Sequence, residues 1–257
     1  VRVRDAVVRP PAHNFGDGIT AAKLGAPDLD KARTQHAAYC DALRAAGANV
    51  ITLEPDARNP DAAFVEDTAV LIAGRAVLTR PGAESRRNET VAMRRVLAQF
   101  FDAVDEIEAP GTLDGGDVCE ASDRVYIGMS HRTNYAGATQ LGALLAKAGK
   151  TPRIIDIRNL TGILHLKSGM SYLGDGSFVA NDALAPILEE GVDRIIRVAP
   201  EEAYGANCVR INGTILLAAG HPHLEAEMRH AGLATVALNV SEFRKMDGGL
   251  SCLSLRF

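Results

Sequence analysis

The chain has 257 residues, 47% of them hydrophobic, and carries 28 Lys and Arg against 32 Asp and Glu, a net charge of −4. The slight acidic excess, with no basic stripe, argues against a nucleic-acid partner, and no segment approaches the ~18 uninterrupted apolar residues of a membrane span. Cys40, Cys119, Cys208 and Cys252 form no CxxC pair, and Val1-Arg2-Val3-Arg4-Asp5 lacks the apolar segment of a secretory leader, so the expectation is a cytoplasmic protein with free thiols.

In chain order, Val3–Val8 predicts a strand, the stretch from Leu29 to Ala46 a helix, and Val50–Leu53 a second strand. The first hairpin runs from Thr68–Ile72 through a turn at Gly74-Arg75 to Ala76–Thr79, followed by a helix over Arg86–Phe101 and a strand at Val104–Ile107. Asp117–Cys119, Ser122-Asp123 and Arg124–Ile127 form the second hairpin, leading into a helix over Thr133–Ala148 that ends at Gly149 and a strand at Arg153–Ile157. The third pairs Met170–Leu173 with Phe178–Ala180 around Gly174-Asp175-Gly176, then gives a short helix at Leu184–Glu190 and a strand at Arg194–Val198. The fourth pairs Cys208–Ile211 with Thr214–Ala218 across Asn212-Gly213, the strongest hairpin signal in the chain, before a helix at His223–Ala231 and a strand at Thr235–Val240. Leu253–Phe257 is the last strand.

These are four copies of strand, strand, helix, strand. The C-terminal strand completes a fifth copy with the N-terminal elements. Such a period predicts a propeller-like or solenoid architecture of ββαβ units, here an α/β ring closed by the termini and spanning residues 1–257 as one domain. Closure removes exposed sheet edges. An open doubly wound sheet is the competing pattern.

In this register reactive residues recur at or just before the first strand of each unit: Glu66-Asp67, Asp114 with Asp117, His165, Asn207-Cys208 and Cys252. Cys40 lies on the apolar stripe Leu29, Ala32, Tyr39, Leu43, Ala46 and reads as core, as does Cys119 in its strand. Cys208 is the rival to Cys252, which follows the glycine-bearing Asp247-Gly248-Gly249-Leu250-Ser251. His165, bracketed by leucines, reads equally as a core histidine or a reactive one. His221-Pro222-His223 lacks nearby acidic or thiol partners and reads as solvated rather than metal-binding. No glycine-rich nucleotide motif is present.

Phe64-Val65-Glu66-Asp67, Thr79-Arg80-Pro81-Gly82-Ala83-Glu84-Ser85-Arg86-Arg87, Leu113-Asp114-Gly115-Gly116-Asp117, Arg132-Thr133-Asn134, Leu164-His165-Leu166-Lys167 and Asp247–Cys252, taken together and in this order, resemble the dimethylarginine dimethylaminohydrolase family. The resemblance runs nearly end to end and implies the five-bladed α/β propeller of the guanidino-modifying, or pentein, enzymes. It implies hydrolysis of Nω-methylated arginines to citrulline and an alkylamine, with neither metal nor organic cofactor. By the same resemblance Cys252 is the nucleophile, His165 the general acid and base, and Asp114 the carboxylate associated with it. Asp61, Glu66 and Asp67 match acidic substrate-binding positions, and Arg86 and Arg132 match those that hold the amino acid's carboxylate. Ile19 and Met246 match positions contributing through a mobile N-terminal loop and a main-chain carbonyl. The partner implied is a small methylated arginine, not nucleic acid or membrane; the oligomeric state is open, a homodimer being one option.

The chemistry suits these residue types. A guanidinium is a poor electrophile and calls for a thiolate nucleophile, while carboxylates fix its plane through paired N–H bonds. Two alternatives are an arginine deiminase, disfavoured because His165-Leu166-Lys167 lacks the acidic residue that those enzymes carry two positions after His, and a non-catalytic binding protein on the same fold. The segment Gly16–Gly25 is expected to act as a lid.

Overall fold

The computed structural model describes residues 2–188 and 192–257. Among them lie five three-stranded sheets, all built alike. In each, a first strand pairs antiparallel with a second, and the second pairs parallel with a third that arrives after a helix. The elements are thus the repeated ββαβ units of the sequence reading.

The chain divides into two compact units. One comprises Glu66–Ser168, the other Val1–Val65 with Gly169–Phe257. The Glu66–Ser168 unit holds two sheets. Ala69–Ile72 and Arg75–Leu78 are followed by the helix Glu89–Leu97 and the strand Val104–Glu106; Val118–Ala121 and Arg124–Met129 by the helix Tyr135–Lys147 and the strand Thr151–Asp156. Asn134 caps the longer helix by accepting the Gly137 amide at 2.8 Å. The core joins Val77, Leu113, Val125, Ile127, Leu141 and Leu145, all buried.

The second unit holds three sheets. Met170–Gly174, Ser177–Asn181 and Arg194–Val198 form one, and Val209–Ile211, Thr214–Ala218 and Ala234–Leu238 another, the latter covered by the helix Pro222–His230. The helix expected at Leu184–Glu190 is described as Ala185–Leu188, with Leu184 in the turn before it and Glu189 and Glu190 lying outside the described residues. The third sheet joins the two ends of the chain: Asp5–Val8 pairs parallel with Asn49–Thr52 and antiparallel with Leu255–Arg256, Ala6 opposite Arg256 and Val7 opposite Leu255. Its helix, Leu29–Ala45, is capped by Asp28 and buries Ala32, Tyr39, Cys40 and Leu43, the stripe read from the sequence.

The repeat is visible in the backbone. The four internal hairpins turn on Ala73, Ser122, Asp175 and Asn212, at φ 54°, 55°, 48° and 53°. A left-handed residue at that place matches the right-handed strand twist, which is why Asn, Asp and Gly favour such turns. The first turn is therefore Ala73-Gly74, one residue before the expected Gly74-Arg75. The helix expected over Arg86–Phe101 is shorter, a single turn at Glu84–Arg86 followed by Glu89–Leu97. Beyond Leu97 the chain closes into a hydrogen-bonded turn, where Phe100 is 42% exposed.

Candidate active site

A short helical turn or two precedes the first strand of each sheet described: Val65–Thr68, Gly115–Asp117, Leu166–Gly169, Pro200–Ala206 and Ser251–Leu253. The expected reactive residues lie on these turns or at their borders. The recurrence read from the sequence therefore has a local cause, since each turn stops the chain just before a strand and leaves side chains at the sheet's end.

In the Glu66–Ser168 unit the turns build a buried charge network around His165. Its Nε2 lies 3.0 Å from Asp114 Oδ2, and Asp114 Oδ1 accepts the Gly82 amide at 2.8 Å. This settles which of the two acids of Asp114-Gly115-Gly116-Asp117 meets the ring. Asp117 instead accepts the Leu166 amide at 2.9 Å, fixing the turn that begins just after His165, and is held by Ser130 and Thr133 hydroxyls at 2.6 Å each. Asp67 accepts the Gly116 amide at 2.9 Å and an Arg86 guanidinium bond at 2.6 Å, while Arg86 also donates to both oxygens of Glu89. A Cβ on Gly116 would sit 2.8 Å from His165 Nδ1, so only glycine lets the backbone pass there.

Burial alone would suppress the His165 charge, but Asp67, Asp117 and Asp114 outweigh it and push the imidazole up to about 9. Asp114 is held below its ordinary value: burial opposes this, but the His165 hydrogen bond and charge, then Arg86 and the Gly82 amide, prevail. Asp117 is pushed up to about 6 by burial, the His165 charge and its donors offsetting only part. Possible ligand atoms of Asp67, Asp114 and His165 lie within 4.8 Å of one another, close enough for a metal ion. Arg86 already balances Asp67 and His165 already balances Asp114, so the cluster reads as an ion network.

Glu66 points to a different partner, Lys167 Nζ at 2.6 Å, with side chains 4% and 14% exposed. Arg132 is half-buried; its backbone packs against Gly82, and among the described residues its guanidinium makes no hydrogen bond or ion pair. Arg86, by contrast, is buried against Asp67 and Glu89.

The other unit presents Cys252 on the Ser251–Leu253 turn. It is half-buried, whereas Cys40, Cys119 and Cys208 are buried. The Gly249 amide donates to its sulfur at 3.4 Å. Phe64 packs with Phe15 and Phe243, ring centroids 5.9 and 6.3 Å away, and lies so close beneath Gly248 that a Cβ there would stand 2.2 Å from its ring. Ile19 donates its amide to both oxygens of Asp61 at 3.1 and 3.2 Å, and the buried Met246 side chain lies near Gly18. Thr20 and Ala21 reach Asp247, which sits at φ 57°.

Residues to which the sequence reading gave no role in the site are Glu89, Lys167, Tyr204 and Asp247. Glu89 had a signal, lying three residues after Arg86 on one helical face. In Asn207-Cys208 attention to the thiol masked the amide: Cys208 is buried, while Asn207 bonds to Ser251.

Residues 57–203 match the family model described as arginine deiminase. Over nearly its whole length the chain is similar to N(G),N(G)-dimethylarginine dimethylaminohydrolase of Pseudomonas aeruginosa, at 40% identity with 98% of each chain covered. It is 36% identical to the protein of the same name from Streptomyces coelicolor, covering 98% of this chain and 96% of that one. Among solved structures it matches a Cys-to-Ser mutant of the P. aeruginosa protein complexed with citrulline, with a TM-score of 0.95, 38% identity and both chains fully covered. The N-terminal domain of the arginine dihydrolase ArgZ, at 18% identity and a TM-score of 0.89, shares the fold. The fold is therefore the five-bladed α/β propeller, and the molecule is an enzyme of the guanidino-modifying class. Within that class the chain belongs to the dimethylarginine dimethylaminohydrolase family.

Proposed function

We propose that the protein hydrolyses Nω,Nω-dimethyl-L-arginine and Nω-monomethyl-L-arginine to L-citrulline, releasing dimethylamine or methylamine, and that residues 1–257 act as one catalytic domain. The observation that carries this reading is His165, bonded to Asp114 at 3.0 Å and favoured in its charged form by three carboxylates. An imidazolium at neutral pH is ready to give a proton to a departing amine.

Cys252 attacks the guanidinium carbon as the thiolate, helped by the Gly249 amide at its sulfur and by the positive charge of the substrate. The tetrahedral adduct loses the alkylated nitrogen as that atom takes a proton from His165, leaving an S-alkylthiouronium on Cys252. With Nε2 kept on Asp114, Nδ1 exchanges the proton. The now neutral His165 takes one proton from water, the water oxygen bonds to the carbon, and the C–S bond breaks to return the thiolate; the remaining hydroxyl proton passes to solvent, matching the one the released amine takes up there, and citrulline departs. Neither metal nor organic cofactor is required.

Asp61, Glu66 and Asp67 supply the acidic substrate-binding positions, Ile19 and Met246 contribute main-chain groups, and Arg132 and Arg86 serve the substrate carboxylate. Arg132 does so directly and Arg86 through the Asp67 it fixes. A cytoplasmic setting fits the four free cysteines. No described helix is long and apolar enough to cross a membrane.

Hydrolysis of unmethylated arginine is the second reading, favoured by the arginine deiminase model. Against it, Lys167 occupies the place two residues after His165 and neutralises Glu66. An unmethylated nitrogen brings more N–H donors and needs more free carboxylate. The deciding experiment is mass spectrometry of protein quenched during turnover, with dimethylarginine and arginine offered separately. The expected result is a substrate-derived adduct on Cys252, present in Cys208→Ser and absent in Cys252→Ser. Activity surviving Cys252→Ser would overturn the assignment, and faster turnover of arginine would favour the second reading.

A further inference from the structure

The turn that carries Cys252 is gripped from one neighbouring segment at two points. Tyr204, inside the turn Pro200–Ala206, donates its hydroxyl to the Gly248 carbonyl at 2.7 Å. Asn207, just past the same turn, accepts the Ser251 amide at 2.9 Å and donates to the Ser251 hydroxyl at 3.0 Å. The two grips fall on either side of Gly249, whose amide donates to the Cys252 sulfur and whose carbonyl accepts the Cys252 amide at 3.2 Å. A Cβ on Gly249 would stand 2.5 Å from the Asn207 amide, so the two surfaces are in direct contact. Arg244 stacks on the Tyr204 ring, 4.7 Å from its centroid, and holds the phenol in place. Burial pushes the Tyr204 phenol up, and negative charge on Cys252 adds to this, so the hydroxyl stays a donor to the Gly248 carbonyl.

We propose that Tyr204 and Asn207 are positioning residues for Cys252, clamping the Gly248–Ser251 turn so that the Gly249 amide stays aimed at the nucleophilic sulfur. They act on the nucleophile through backbone and touch neither substrate nor leaving group. The clamp deepens the role given above to Cys252, and its first readout needs no substrate turnover.

The test is the rate of Cys252 alkylation by iodoacetamide at one fixed pH, read by peptide mass spectrometry, with buried Cys40, Cys119 and Cys208 as internal references. Tyr204→Phe keeps the ring and its contact with Arg244 and removes only the hydroxyl. It is expected to slow Cys252 alkylation about fivefold and to lower kcat about as much with KM unchanged, the scale of one hydrogen bond. Asn207→Ala should act in the same direction and provides the reading if Tyr204→Phe does not fold. A clamp that merely held the fold together would, once cut, expose the sulfur. Unchanged or faster Cys252 alkylation in a folded variant therefore overturns the proposal. Slower alkylation in a protein that forms no citrulline from dimethylarginine would support the clamp while removing the proposed substrate.

Discussion

His165 and Cys252 are held by opposite means. Around His165 the protein concentrates charge: Asp67, Asp114, Asp117, Arg86 and Glu89 are all buried, Arg86 pairing with Asp67 and Glu89 and Asp114 with the ring itself. Around Cys252 it uses backbone amides, two glycines pressed against neighbouring side chains, a neutral amide and a phenol. In the proposed reaction the acid must change charge, and a dense carboxylate shell sets how readily it does so. The nucleophile needs mainly a fixed direction, which glycine turns and neutral hydrogen bonds supply without adding charge that would compete with a cationic substrate. The contrast teaches that pH sensitivity should reside in the Glu66–Ser168 unit and geometric sensitivity in the other.

The strongest way to break this contrast is to remove the ring itself. His165→Ala should lower kcat for citrulline formation by about a thousandfold, the scale of a lost general acid and base. A colorimetric citrulline assay checks it, and a loss below tenfold would mean that the charge shell serves something else.

Asp114→Asn keeps the shape of the partner and deletes its charge. Turnover should fall about 10- to 100-fold, and the alkaline limb of the pH–rate profile should shift to lower pH from about 9. The same shift has a stability consequence with a defined sign. The His165 value lies above its ordinary 6.5, so its contribution to folding is complete below about 6.5 and is lost as pH rises through about 9. Asp117, raised from 3.8 to about 6, loses its own contribution lower, as pH rises through about 6. Urea unfolding of the wild type should therefore show a loss on the order of 2 kcal/mol between about pH 6.5 and 9.5, reduced in Asp114→Asn. An identical loss in both proteins would place the titrating group elsewhere.

Lys167→Met tests whether the charge shell extends to Glu66. It strands a buried carboxylate without its cation, an effect of about 3 kcal/mol when a buried pair is broken from one side. Chemical denaturation measures it, and Lys167→Arg, which keeps the charge, should lose much less.

Much of this was legible because the repeat is written in turn chemistry. Asn212-Gly213 and Asp175-Gly176 announce hairpins through residues that tolerate left-handed backbone, and the apolar stripe Ala32, Tyr39, Leu43 announces its helix. Ala73 gave no such signal, because alanine has no intrinsic preference for φ 54°, and the turn was placed one residue late. The candidate site was legible as residue types at recurring places, but its wiring was not. That Asp114 rather than Asp117 meets His165 depends on how the Gly115–Asp117 turn rotates two acids three residues apart. The contacts of Tyr204 and Asp247 were invisible for a plainer reason: one acts through a hydroxyl on a backbone carbonyl 44 residues away, the other on a loop 226 residues away.

The smallest effect is expected at that loop, on the neutral side of the contrast. The Thr20 hydroxyl lies 2.9 Å from the Lys245 carbonyl and 3.1 Å from the Asp247 carboxylate, and the Ala21 amide reaches the same carboxylate at 2.5 Å. These bonds are exposed, so each competes with water and contributes about 1 kcal/mol at most. Thr20→Val removes the hydroxyl at nearly constant volume and leaves the Ala21 bond and both Ile19 bonds to Asp61 in place. If the Gly16–Gly25 segment closes over substrate, KM for dimethylarginine should rise about two- to fivefold with kcat unchanged, because the hydroxyl stabilises the closed loop and takes no part in chemistry. Steady-state kinetics decides it, and a fall in kcat at constant KM would move Thr20 from the loop's latch to the geometry of the nucleophile.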